Sequence, residues 1–479
     1  MPVELFSTPL IATILGVLHI VGIFAAVHAV MTVRTSQGAI AWALSLVMMP
    51  WLTLLPYAVL GSAYFTGYTN PQRFRNEVAR LQARGIDPVW AQRHPEYIAE
   101  YPEDSGLQAL TRLTDTPLLR GNHVRLLING EVTYEALLAA IRQARQAILV
   151  QFFAIADDAA GRALHDALAE RARAGVTVQF LYDGIGCHAL PEAYIATLAE
   201  AGAQVRKFAT RRLANRFQIN FRNHRKLLVV DGEVGFVGGH NIGTMYLGER
   251  APLSPWRDTH IELRGPVLGT LQLVFAEDWF WATRQLPHML APATRDGTML
   301  CQALPSGPAD ARETGSLFFV TAINAARSRV WLASPYFVPD EAVMSALELA
   351  VMRGVDVRVL IPTRPDHHVV FHASTLFAHD AVQAGVRMFR YEPGFMHQKV
   401  VLIDDRAAAI GSANLDNRSF RLNFELMVMT LDAGFAAEVE TMLVADFACA
   451  REVGLDEYRN TPYWRRALMH IAHLFAPIL

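Results

Sequence analysis

One pattern of eighteen residues occurs twice in this chain, and any fold must accommodate both copies. The first reads His224-Arg225-Lys226, four apolar residues, Asp231, six residues, then Gly238-Gly239-His240-Asn241. The second reads His397-Gln398-Lys399, four apolar residues, Asp404, six residues, then Gly411-Ser412-Ala413-Asn414. His, Lys, Asp, Gly and Asn recur at equal offsets. A His and a Lys two apart at a strand start point to one face. Residues 227–230 read as a buried strand, Asp231-Gly232 as a two-residue hairpin turn, and 233–237 as the return strand. With Val230 paired to Glu233, Gly239 falls opposite His224, and the same count sets Ser412 opposite His397. Each hairpin then gathers a His, a Lys and an Asn beside a small residue that leaves room for a ligand. A neutral imidazole, an ammonium and an amide converging on one point suit a phosphate diester, as nucleophile, charge clamp and oxygen donor. The competing reading, two satisfied core histidines, leaves the repeated Lys and Asn unexplained.

The surrounding chain is also duplicated. Ala140 to Arg145 leads into the strand starting at Ala147, and Ala322 to Arg327 leads into Val330-Trp331-Leu332-Ala333. Each is followed by a helical segment and a Gly-Val-x-Val strand start, at Gly175 and at Gly354. Helices alternating with short apolar strands predict an α/β fold with mixed sheets covered by helices. The expected organisation is an apolar hairpin over 1–70, a linker over 71–121 rich in Arg, Pro and Glu, one half over 122–296, and a second half over 297–479. Two such halves predict a pseudo-twofold arrangement with a shared site at their junction.

Composition narrows the chemistry. Of 43 basic residues only three are lysine (Lys207, Lys226 and Lys399), and two of these fall in the repeated pattern. Where arginine is the default cation, a lysine is kept for its compact ammonium. The net charge of −2 argues against a nucleic-acid coat protein held by bulk charge. The three cysteines (Cys187, Cys301 and Cys449) lie far apart without CxxC spacing, so a disulfide framework or a cysteine-based zinc site is not expected. There is no HExxH, and no lysine follows a glycine, which excludes a P-loop. Neither a metal nor another cofactor is implied. Cys187-His188 has no second ligand at a recognisable spacing and reads as plain loop, and His367-His368 near Pro365 reads as a loop within possible reach of the site.

The first seventy residues face lipid. Arg34 is the single formal charge between Glu4 and Arg73, and it separates apolar runs at 8–33 and 39–65. Each is long enough to cross a hydrocarbon layer of about 30 Å, and no basic stretch precedes the first as in a signal peptide. Pro50 and Pro56 leave a kinked or re-entrant second run open. Arg73, Arg75, Arg80 and Arg84 follow that run, which predicts two crossings of a bacterial inner membrane with the large C-terminal portion in the cytoplasm.

The doubled H-x-K-x4-D with a trailing G-x-x-N resembles the phospholipase D superfamily, from about residue 122 to the end. Within it, the apolar N-terminal pair, Ser334 to Pro339, Asn414 to Ser419 and the tail 462–479 look like the bacterial cardiolipin synthases. That resemblance implies a duplicated phospholipase D-like sandwich and a phosphohistidine mechanism. One of His224 and His397 attacks phosphorus and the other protonates the leaving alcohol; His224 is the favoured nucleophile. It implies that Lys226, Lys399, Asn241 and Asn414 hold the non-bridging oxygens. Asp231 and Asp404 complete the two motifs and look structural in the family. Asp258 and Glu425 match the places of carboxylates that orient the histidine rings. Gly239 stands where the second copy has Ser412, so the first half lacks a hydroxyl that often contacts phosphate. The implied partners are a bilayer and anionic phospholipid, phosphatidylglycerol and cardiolipin, with no nucleic acid and no cofactor.

From Arg206 to Lys226 eight basic residues and no acid are interleaved with aromatics, which suits anionic headgroups. Arg211, Arg212, Arg216 and Arg222 are the expected headgroup contacts; a solvated charged face is the plainer alternative. Trp464, Leu468, Ile471 and Phe475 share one face of a tail helix of interfacial character. The leading functional reading is two phosphatidylglycerols giving cardiolipin and glycerol. A membrane-bound phospholipase D using water, or a membrane-tethered nuclease, are the alternatives.

Overall fold

The computed structural model describes residues 8–33, 36–61, 94–208, 220–249, 252–293 and 297–479. The chain forms two compact units, one of residues 1–68 with 210–221 and one of 69–209 with 222–479.

The first unit holds helices α1 (Thr8–Thr32), α2 (Ser36–Met48) and α3 (Pro50–Leu60). In α1 the stretch Leu10–Thr32 has a mean hydropathy of 2.5 and is long enough to cross a membrane. Its Phe24 and Met31 are 73% and 79% exposed within a helix whose apolar residues are exposed along much of its length, a surface of the kind that meets lipid or a partner. Among the described residues the second apolar run gives no helix long enough to cross a membrane, so the expected second crossing is not supported. Proline has no N–H to donate and is best placed at a helix start; the run breaks before Pro50 into helices of 13 and 11 residues, the second of which also holds Pro56 in its interior. At 1.5 Å per residue each spans about 20 Å or less, short of the hydrocarbon layer. They pack back onto α1, where Gly22 leaves room for the Leu46 carbonyl and His28 Nδ1 lies 2.7 Å from the Tyr57 hydroxyl. Arg34, Arg73, Arg75, Arg80 and Arg84 lie outside the described residues.

The second unit contains two copies of one seven-stranded mixed sheet. The first copy runs β2 (Leu118–Ile128), β10 (Thr259–Arg264), β8 (Val234–Gly238), β7 (Leu227–Val230), β3 (Ala147–Phe152), β4 (Thr177–Asp183), β5 (Gln204–Phe208). The second runs β11 (Met299–Ser306), β20 (Asn423–Leu431), β18 (Ala407–Gly411), β17 (Val400–Ile403), β12 (Arg329–Ala333), β14 (Asp356–Pro362), β15 (Arg387–Tyr391). In both, the last three strands are parallel and the others antiparallel. Each sheet has its own apolar core, and the N-terminal part of β2 also pairs with β11, which ties the two together. The duplication expected from sequence is thus strand for strand.

Residues 94–121, read from sequence as the end of a linker, form part of this body. They carry β1 (Ile98–Ala99) and the helix Ala109–Thr114, and Tyr101, Leu107, Leu110 and Leu118 lie in the second half's core. Apolar side chains spaced for burial won over the Arg/Pro/Glu composition that suggested a spacer.

Both repeated patterns fold as hairpins, β7–β8 and β17–β18. Their central strands are apolar on both faces because helices cover one side and the facing core the other. The register differs by one residue from expectation: Val230 pairs with Val234 and Ile403 with Ala407, so each loop holds three residues. Asp231 and Asp404 both take positive φ, 54° and 52°. The glycine that follows, Gly238 or Gly411, is required by close approach, since a Cβ there would collide with His260 or Met427 on the adjoining strand.

Asp231 and Asp404, which complete the two motifs, sit at the hairpin tips, the far end of the strand from the histidines. Asp231 accepts the backbone N–H groups of Arg145, Gln146 and Ala147 at 2.7–2.8 Å. Asp404 accepts those of Arg327, Ser328 and Arg329 and the Ser328 hydroxyl. Each carboxylate therefore lashes its hairpin to the start of β3 or β12. Burial pushes the Asp404 carboxyl up, but these donors together hold it below its ordinary value. Asp404→Ala orphans three partly buried N–H groups and should cost about 2–4 kcal/mol of stability, at about 1 kcal/mol or more each. Thermal unfolding in detergent should show a lower midpoint, while turnover per folded molecule stays within a few-fold. A fully stable but inactive variant would return Asp404 to the catalytic set.

Candidate active site

One short strand from each half pairs with the other half. β6 (Arg222–Asn223) runs parallel to the start of β20, and β16 (Phe395–Met396) runs parallel to β9 (Trp256–Arg257). The next residue in each strand is a histidine or its carboxylate. His224 N–H donates to the Phe424 carbonyl at 2.9 Å and His397 N–H to the Arg257 carbonyl at 2.7 Å. This places His224 Nδ1 3.0 Å from both oxygens of Glu425, and His397 Nδ1 2.7 Å from Asp258 Oδ2. Both carboxylates expected to orient histidines do so, each serving the ring of the opposite half. With Nδ1–H directed at a carboxylate, Nε2 of each ring is the nitrogen left to accept a proton or a bond.

The lysines fold back over the same point. Lys226 Nζ donates to the His224 carbonyl at 2.6 Å and Lys399 Nζ to the His397 carbonyl. Both are buried, and Lys226 also lies 5.4 Å from the Phe153 ring centroid. Burial dominates the protonation of all four groups. It pushes His224 down to about 4 and His397 well below its ordinary value, so both rings are neutral at pH 7. It lowers Lys226 strongly and Lys399 to about 8, against carboxylates that pull both up. Burial raises the Glu425 carboxyl, but His224, Lys226 and Ser412 outweigh it and keep it ionised.

The remaining expected residues are placed as follows. Ser412 does not open towards a ligand: its hydroxyl donates to Glu425 Oε2 at 2.5 Å and accepts from Leu426 N–H. Gly239 holds the matching place against Asp258, where a Cβ would overlap the carboxylate. The Gly/Ser difference thus tracks the orienting carboxylate rather than substrate. Asn241 Oδ1 accepts from Ala154 N–H at 3.2 Å, and Asn414 Nδ2 donates to Asp416 at 3.2 Å. Arg222 is half-buried; burial and the neighbouring Arg418 lower it to about 10. Arg211, Arg212 and Arg216 lie outside the described residues. In the tail helix Tyr463–His473, Met469 and Ala472 are buried while Trp464, Leu468 and Ile471 are exposed, and Phe475 beyond it is exposed too. His367 is exposed just before the helix His368–Gln383, 6.4 Å ring to ring from Tyr336.

Several supporting residues went unnoticed in the sequence. Beneath His224, Arg225 pairs with Asp278 at 2.9 Å and donates to the Glu425 carbonyl. Beneath His397 the pair is Arg257 with Asp446 at 2.8 Å, and Gln398 donates to the same Asp446. A signal existed: Asp278-Trp279 and Asp446-Phe447 repeat an Asp–aromatic pair in the helix after each sheet's second strand. His240 and His260 are a buried pair with Nδ1 atoms 3.4 Å apart, and they stand where the second half has Ala413 and Met427.

Comparison with known proteins agrees with this geometry. The family model described as "Cardiolipin synthase, PLD-like domain" matches residues 137–251 and 319–446. The chain is 56% identical over 482 residues to cardiolipin synthase A of Pseudomonas aeruginosa, covering 100% of this chain and 98% of that protein. It is 54% identical over 480 residues to cardiolipin synthase A of Pseudomonas fluorescens, covering 99% and 100%. Among solved structures, phosphatidylserine synthase of Haemophilus influenzae matches with a TM-score of 0.59 at 14% identity, over 78% of this chain and 100% of that one, which speaks for the fold alone.

Two outcomes follow for the site. Lys226→Arg or Lys399→Arg should reduce turnover by about a hundredfold or more although the charge is kept, because a forked guanidinium does not fit where a compact ammonium is enclosed. Near-normal rates in a folded preparation would show that the lysines are kept for another reason. Burial pushes His240 and His260 down to about 3. A folded value below the unfolded one, about 6.5, means that their contribution is intact above pH 6.5. It is lost as pH falls towards 3, at about 1.4 kcal/mol per pH unit for each ring. The double replacement His240→Ala with His260→Met copies the second half and should flatten the acid unfolding limb below pH 6.5. An unchanged limb would contradict the assignment.

Proposed function

The chain belongs to the family of cardiolipin synthases with phospholipase D-like domains, and on that premise we propose that it transfers a phosphatidyl group between two phosphatidylglycerol molecules, giving cardiolipin and glycerol. The observation that carries the reading is the pair of histidines, each backed by a carboxylate of the opposite half, with two enclosed ammoniums beside them.

In the first step His224 Nε2, neutral through burial, attacks phosphorus. The P–O bond to glycerol breaks, and the departing oxygen takes the proton from His397 Nε2. Burial, and after it the neighbouring Lys399 and Lys226, disfavour a protonated His397. The negative diester brought beside it adds to the Asp258 charge on Nδ1 and favours the imidazolium at that moment. Lys226 and Lys399 carry the charge that gathers on the non-bridging oxygens. In the second step a headgroup hydroxyl of another phosphatidylglycerol gives its proton to His397 Nε2 and attacks phosphorus. The P–N bond to His224 breaks, and cardiolipin leaves. One phosphodiester replaces another, so the exchange sits near balance and calls for no nucleotide. The alternatives, a hydrolase or a nuclease, are not favoured, because the chain matches cardiolipin synthases along its whole length.

A membrane setting follows from the substrates and from α1. The halves are best bounded near 122 and 297, with 94–121 counted with the body. The arginines after the second apolar run support a cytoplasmic catalytic body. The exposed apolar side of the tail helix and the basic run around 206–226 support contact with anionic headgroups.

The test is direct. Full-length protein with phosphatidylglycerol vesicles, in the presence of a chelator, should release cardiolipin and glycerol in equal amounts, and excess glycerol should drive the reaction backwards. Phosphatidic acid as the main product, with no reversal by glycerol, would make the protein a hydrolase. His224→Ala and His397→Ala should each abolish turnover, since neither ring can both attack and shuttle the proton.

A further inference from the structure

The groups that face the phosphorus suit an anion, being two ammoniums and two imidazoles. One neighbour does not. Asp366 ends the loop after β14, just ahead of the helix His368–Gln383, and its side chain is half-buried and reachable. Its Oδ2 accepts a hydrogen bond from the Tyr336 hydroxyl, and its Oδ1 accepts the His367 N–H at 2.8 Å. Among the described residues no cation pairs with it; the nearby Arg364 instead donates to the carbonyls of Pro252 and Ser254. Yet Tyr336 comes just before the strand Phe337–Val338, which pairs parallel with Leu415–Asp416, so the Tyr336–Asp366 pair lies beside Asn414 of the second motif. The bonds of Arg364 set the same loop against the segment that leads into Trp256, whose ring packs against His397 at 5.1 Å between centroids. The carboxylate therefore borders the pocket on the His397 side.

A bare carboxylate there works against a phosphodiester, since like charges a few ångströms apart repel by about 1–4 kcal/mol between water and a protein surface. It becomes an asset if the ligand brings hydroxyls, because a charge-assisted O–H···O⁻ bond is about twice as strong as a neutral one. We propose that Asp366, held in place by the Tyr336 hydroxyl, is the specificity-determining acceptor for the hydroxyls of a glycerol headgroup, on the side of the pocket where His397 exchanges its proton with the reacting oxygen. This rests on the cardiolipin reading and deepens it. Glycerol leaves in the first step and a glycerol headgroup arrives in the second, so one hydroxyl-binding carboxylate serves both. Asp366 takes no proton in the reaction. Its role is to accept from the hydroxyl that does not react, while the reacting hydroxyl faces His397. Tyr336 is a positioning residue.

A partition experiment separates this from a structural role. Full-length protein in phosphatidylglycerol vesicles is given ethanol as a competing acceptor, and cardiolipin and phosphatidylethanol are measured together. Both arise from the same phosphatidyl-enzyme, so their ratio reports the acceptor step alone. Asp366→Ala should lower cardiolipin relative to phosphatidylethanol by about tenfold or more, as expected when a built hydroxyl partner is removed. Tyr336→Phe should lower it by about threefold. An unchanged ratio, whether both products persist or fall together, overturns the proposal. Wild-type protein supplies a readout free of any folding question: glycerol should outcompete 1-propanol by about tenfold or more, and equal use overturns the proposal whatever the variants do. If wild-type protein makes phosphatidylethanol and phosphatidic acid but no cardiolipin, the synthase reading has failed instead.

Discussion

The rest of the catalytic body depends on two reciprocal pairs, His224 with Glu425 and His397 with Asp258. Each joins a ring from one half to a carboxylate from the other, and each follows directly from a short parallel strand pairing across the junction. Both carboxylates are fully buried, and a buried charge is tolerable only where donors surround it. Glu425 has them in Ser412, Ser419 and Asn423 besides His224. Asp258 has the Thr259 N–H and His397, with Gly239 closing over it. Neither half contains a complete site, so the duplication and the chemistry are one constraint.

Pseudo-symmetry stops where the chemistry needs two different histidines. Glu425 takes donors from three side chains besides His224, whereas among the described residues the Asp258 carboxylate takes the Thr259 N–H besides His397. The buried cation below His224 is Arg225, from the middle of its own motif. Below His397 it is Arg257, from the strand that carries Asp258, and the motif's middle residue is Gln398. An Arg–Asp pair is conserved in space while its arginine has moved in sequence. In the proposed reaction His224 is the ring that takes up and releases the phosphatidyl group, and His397 the ring that handles protons.

Much of this was legible in the sequence because it is local or repeated. The strand–turn–strand reading of each motif follows from four apolar residues and an Asp that tolerates positive φ. The places of Asp258 and Glu425 follow from the resemblance, and the lone lysines from composition. The one-residue slip in register was not legible, since a two- and a three-residue loop around Asp231 fit the same letters. Nor was the crossing of the carboxylates, which depends on how the halves meet. Asp366 and Tyr336 lie thirty residues apart and meet only through the packing of β14 and the helix after it. At the N-terminus, run length suggested a second crossing, while Pro50 decided where the helix stops.

The proposed reaction names which atom of which ring reacts, and that can be read chemically. Full-length protein turning over phosphatidylglycerol, quenched in alkali to preserve phosphoramidates, can be digested and the modified residue located by fragmentation and phosphorus NMR. Because Glu425 and Asp258 occupy Nδ1 of both rings, the account predicts a phosphatidyl group on Nε2, at His224. An adduct on Nδ1, on Ser412, or on no histidine at all would contradict it.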